Sequence, residues 1–161
     1  MVNKLAALAA AVVVTGLAGA VAGTGPDQAP VEATTDSSTT LKYARKAFSG
    51  QIEVERPDYP EHLDKYPSTK KTFYAAVDEC LAGRKVELFK SVRTKKGRLL
   101  IEVDDTRSDD SGAWSIPRAR AHGRFKAVVK GKRVDTLASD PSYGVIVVCS
   151  GDDTKLLRAS R

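Results

Sequence analysis

Asparagine and histidine are nearly missing from this chain, and each shortage removes a class of chemistry. Asn3 is the only asparagine, so no Asn-x-Ser/Thr glycosylation acceptor exists beyond the first residues. His62 lies in a polar loop beside Glu61 and Asp64, and His122 lies beside Gly123 in a basic one. Two imidazoles so far apart offer no metal-ligand spacing. The two cysteines, Cys80 and Cys149, form no Cys-x-x-Cys and have no activating neighbour in sequence. Ser150-Gly151 lacks the Gly-x-Ser-x-Gly frame of a nucleophile turn. The acidic pairs Asp104-Asp105, Asp109-Asp110 and Asp152-Asp153 do not follow the calcium-loop pattern, and Asp favours turns for backbone reasons alone. No nucleophile, base and orienting group can be assembled, so the expectation is a protein that is not an enzyme and has no cofactor and no metal.

What is present begins with an export signal. Residues 1–22 carry one charge, Lys4, then an apolar run ending in Ala20-Val-Ala22, the pattern of a secretory signal peptide with a small-residue cleavage site. The competing reading is a membrane anchor, which the Ala and Gly content and small-residue exit disfavour. No cysteine follows the run and no arginine pair precedes it, which indicates neither a lipid-modified terminus nor a twin-arginine route. The expected location is secreted and extracellular, with no membrane span after cleavage. In that compartment an even cysteine count favours a disulfide between Cys80 and Cys149.

Residues 23–40 are rich in Gly, Pro, Thr, Ser and Asp without apolar periodicity and predict a disordered leader or tether. Residues 41–71 contain one short strand candidate at 48–54, followed by proline-rich turn chemistry, and predict a loosely packed extension. From residue 72 to 161 the pattern is repeated short strands, expected at 72–77, 85–92, 98–104, 113–116, 124–130, 143–148 and 154–158. Val86 and Leu88 share one face, as do Phe125, Ala127 and Val129, and 143–148 is an apolar run of strand length. No apolar stripe of helical period stands out. The expected fold is all-β, a seven-stranded antiparallel β-sandwich, with Trp114 in its core rather than at a ligand.

The order Cys80, Arg84-Lys-Val86-Glu-Leu88, Asp109-Asp-Ser-Gly112-Ala-Trp114, Gly123-Arg-Phe125 and Cys149 resembles that of small secreted bacterial domains with a transthyretin-like sandwich. These are similar in architecture to the carboxypeptidase regulatory domain. The resemblance covers about residues 72–159, with Ser108 where the family has Thr. It implies a sandwich serving as an accessory or binding module, and fold does not decide function.

The net charge is +6, and cations crowd 95–98 and 118–133. A solvated surface is the plain reading of that charge. The functional reading is an anion-binding patch of Arg118, Arg120, Arg124 and Lys126 for an anionic cell-envelope polymer. Nucleic acid is disfavoured, because among these cations only Phe125 is aromatic and alternation sends it inward. The expected function is therefore a secreted, non-enzymatic binding or cell-envelope interaction module. Its alternative is a secreted inhibitor or effector that docks to a protein through an exposed loop such as 91–96 or 117–122.

Overall fold

A computed structural model describes residues 30–136 and 144–160. The expected signal peptide 1–22, residues 23–29 of the tether and Tyr143 lie outside the described residues. Among the described residues twelve strands stand where seven were expected, with one α-helix. In chain order they are β1 (Val31–Thr35), β2 (Ser37–Thr39), β3 (Lys42–Ala44), β4 (Ala47–Val54), α1 (Pro67–Asp78), β5 (Lys85–Thr94), β6 (Gly97–Arg107), β7 (Ala113–Pro117), β8 (Gly123–Val129), β9 (Lys132–Thr136), β10 (Val145–Cys149), β11 (Asp152–Asp153) and β12 (Leu157–Ala159).

The alternating segments build the sandwich. One sheet has β5 at its centre, β6 on one side and β8 on the other, with β11 and β12 paired in turn along β8. The second sheet centres on β4, with β2 and β3 running antiparallel to it in succession and β7 pairing across from β3. Their inner faces meet in a core of Phe48, Ile52, Val86, Leu88, Trp114, Ile116, Phe125, Ala127 and Val129. The Phe48 and Phe125 rings lie 4.6 Å apart, a tilted pair that adds to their burial. Trp114 is buried as expected, and its indole N–H donates to Thr39 Oγ1 at 3.3 Å. Gly50 lies opposite Trp114, and a Cβ there would come within 2.6 Å of the indole ring. Only glycine lets the indole lie against the strand.

A second, smaller core and the elements around it correct four expectations. Residues 72–77 are helical, because α1 presents Thr69, Phe73, Ala76 and Val77 at a helical spacing and buries them. Two of those four side chains are Ala and Thr, so the stripe has little hydrophobic contrast. Pro67 starts the helix, where its missing N–H costs nothing. The tether assignment fails from Val31 onward, because β1 pairs with β10 from Val31 opposite Val145 to Thr35 opposite Cys149. That pairing is parallel, so the sheets are not all antiparallel. The extension 41–71 is not loosely packed, since Phe48 and Ile52 are fully buried in the sandwich core, and Tyr59 and Leu63 are buried under α1. β9 pairs antiparallel with β10 to complete a three-stranded sheet on which α1 packs through Phe73 and Val77.

A disulfide closes the second core from within, and Arg84 ties that core to the first. Cys80, just past α1, forms a disulfide with Cys149 at the end of β10, a closure across 69 residues of sequence. Arg84 is buried without a carboxylate partner. Its Nε donates to Lys130 O at 2.8 Å, its Nη1 to Cys80 O at 2.9 Å and Ser37 Oγ at 3.2 Å, and its Nη2 to Ser150 O at 2.6 Å. One planar fork thus satisfies carbonyls from three separate segments and a hydroxyl from a fourth. Burial pulls the guanidinium pKa below its ordinary value.

Candidate anion-binding site

The β3–β4 hairpin closes on a two-residue turn, with Ala44 paired to Ala47. The turn residues are Arg45 and Lys46, with φ of 50° and 64°. A two-residue hairpin of this hand needs positive φ at both positions, which Asn-Gly or Gly-Gly satisfies most cheaply. Arg and Lys each carry a Cβ, so the conformation costs on the order of 1–2 kcal/mol per residue. Two consecutive strained cations at a turn are what glycine would replace if stability alone were at stake.

The segment after β7 is pinned against this turn. Arg118 N–H donates to Lys46 O at 2.8 Å. Tyr43 Oη donates to Arg118 O at 3.0 Å and accepts from Ala121 N–H at 3.3 Å, so one phenol ties β3 to both ends of the 118–121 segment. Between the two lies a depression of about 830 Å³, bordered by Tyr43, Arg45, Lys46, Arg120, Ala121 and Ser160, with no acidic residue in its lining. Among the described residues no carboxylate forms an ion pair with Arg45, Lys46 or Arg120. Cations without a paired carboxylate among the described residues suit phosphate or carboxylate oxygens.

The four cations expected to form one patch are distributed differently. Arg120 lines the depression, whereas Arg118 is not in its lining and its Nη1 donates to Val103 O at 3.4 Å. Arg124 and Lys126 alternate with buried Phe125 and Ala127 and so stand on the outer face of β8. Lys126 is paired with Asp153. Arg124 sits opposite Ser91 of β5 and Arg158 of β12. Arg45, Lys46 and Tyr43 were not singled out by the sequence, because the turn carries neither Asn nor Gly to mark it.

The remaining candidates resolve into structure. Ser150 Oγ accepts from Ser37 N–H at 2.9 Å. Asp104 and Asp105 lie within β6 and Asp152 and Asp153 form β11, so two of the three acidic pairs are not in turns. Asp109 is in one: its Oδ1 accepts from Ser111 N–H, Ser111 Oγ and Ala113 N–H, bonds that hold its carboxyl below the usual range. Both cysteines are in the disulfide. Of the expected docking loops, 91–94 is the end of β5 and only Lys95-Lys96 is turn. Among the described residues no group of three His, Cys, Asp or Glu could hold a metal ion. No described helix is long and apolar enough to cross a membrane, and the disulfide fits an extracellular protein. Comparison with known proteins finds no family model and no curated protein that matches this sequence.

Proposed function

We propose that this chain is a secreted, non-enzymatic β-sandwich module of the transthyretin-like type that binds an anionic cell-envelope polymer. The polymer would lie in the depression between the Arg45-Lys46 turn and Arg120. The observation that carries this reading is the turn itself: two adjacent cations hold a conformation that costs stability and face a third across a wall free of acids. Neighbouring turn residues place their charges within a Debye length of about 8 Å, so their fields act together on a polyanion. Arginine adds bidentate geometry toward phosphodiester or carboxylate oxygens. A repeating polymer suits such a site, because three cations from two separate segments line one depression and can take successive anionic groups.

The test is retention of the disulfide-intact protein on an immobilised phosphodiester wall polymer across a salt series. Three engaged cations predict that the logarithm of affinity falls with the logarithm of salt with a slope of roughly two to three. Arg120→Ser should lower that slope by about one, whereas Arg124→Ser, on the far sheet, should leave it nearly unchanged. Equal losses from the two substitutions would place binding on diffuse charge rather than at this site.

A further inference from the structure

Among the described residues strand β6 ends its sheet, and its outer edge is unpaired over one short stretch. Thr94 and Gly97 close a two-residue turn, and the register continues through Arg93 with Arg98 to Phe89 with Glu102. In such a ladder alternate residues turn their N–H and C=O toward the neighbour. Gly97, Leu99 and Ile101 face β5, so the backbone groups of Arg98, Leu100 and Glu102 point to the open side. The open stretch has a definite end, because the register shifts after Glu102 and Arg118 reaches Val103 O. Within it stand Leu99, Leu100 and Ile101, exposed by 54%, 44% and 45%, three of the largest apolar surfaces among the described residues. An unpaired edge with exposed apolar residues on both faces is a template for strand addition.

We infer that this edge pairs antiparallel with the same edge of a second copy of the chain, about a two-fold axis at Leu100. The charge sequence selects that partner. With Leu100 opposite its own symmetry mate, Arg98 falls opposite Glu102 of the other copy, and the reverse, so both flanking pairs are oppositely charged. On the other face Leu99 meets Ile101 of the mate twice. The three outward-facing residues of each strand exchange six backbone hydrogen bonds across the axis. Sliding the partner by two residues keeps the hydrogen bonds but sets Arg98 or Glu102 against Leu100 and loses the match. An isologous pairing of this kind closes on itself, since each copy's free stretch is consumed. The contact is small, so association is weak, with dissociation constants on the order of tens to hundreds of micromolar.

Sedimentation of the disulfide-intact protein over a concentration series tests this, beside Arg98→Glu, Glu102→Arg and the double exchange. Each single change sets like charges opposite each other at two places and should weaken the dimer at least tenfold. The double exchange restores opposite pairing and should recover most of the affinity, which a folding defect would not do. Amide exchange supplies a second readout: protection at Arg98, Leu100 and Glu102 should rise with concentration, while Leu99 and Ile101 stay protected throughout. A protein that stays monomeric at about 1 mM would overturn the inference. So would a dimer that both single variants form as strongly as the parent, since its interface would lie elsewhere.

Discussion

The two cores of this molecule are held by different means. The sandwich core joins two sheets through bulky inward side chains, with Phe48, Ile52, Leu88, Trp114 and Phe125 all buried. The second core has Phe73 and Tyr59 as its buried aromatic residues and otherwise relies on Val, Ala, Leu and cystine between α1 and a three-stranded sheet. The first is stabilised by apolar area that its own strands supply. The second depends on a covalent tie within it, Cys80–Cys149, and on a polar tie to its neighbour through Arg84.

If that contrast is right, cutting the ties should loosen the smaller core first. Replacing both cysteines by serine should cost about 4 kcal/mol, since the crosslink closes a long loop. Amide exchange in α1 and β10 should accelerate more than in β5 and β8. Uniform acceleration across both cores would show one cooperative unit. Arg84→Met should come next, costing about 3 kcal/mol, because it leaves the buried Cys80 carbonyl and the part-buried Lys130 and Ser150 carbonyls without this donor, a loss readable in denaturant unfolding. A chain starting at Leu41 should lose stability by a smaller amount, because β1 would leave β10 unpaired on one side and Val31 and Thr35 would vanish from the interior. An unchanged melting temperature would show that β1 adds nothing to the smaller core.

A smaller effect separates the cores by pH. Glu87, on the sandwich sheet, is nearly buried between Lys130 at 2.8 Å and Lys85 at 3.0 Å, and these ammonium groups hold its carboxyl below the usual value. A lowered folded-state pKa contributes stability that is present above the unfolded value, near pH 4.3, and is lost as pH falls through the folded value. Acid should therefore weaken the sandwich below about pH 4, and Glu87→Gln should flatten that part of the stability profile. A profile identical in the variant would remove Glu87 from the account.

The same contrast explains what the sequence made legible. β5 and β8 alternate large apolar and polar residues, so their faces and approximate bounds could be read directly, as could the approximate bounds of β7. α1 was read as strand because Thr69 and Ala76 dilute its buried stripe. β1 was read as tether because its pairing is with β10, more than a hundred residues away, and a parallel partner leaves no local turn signal. At the candidate site, Arg118 and Arg120 were visible as charge. Arg45 and Lys46 were not, since their role depends on a backbone conformation that their residue types disfavour.

That disfavoured turn permits a direct test of the central claim, that the hairpin gives up stability for binding. Arg45→Asn combined with Lys46→Gly supplies the residue pair this turn prefers and removes two of the three cations at the depression. Melting and polymer retention would be measured on the same preparation. The account predicts that the variant unfolds later, by about 1 kcal/mol or more, and binds the anionic polymer far more weakly. A variant that is more stable and binds as well as the parent would contradict it.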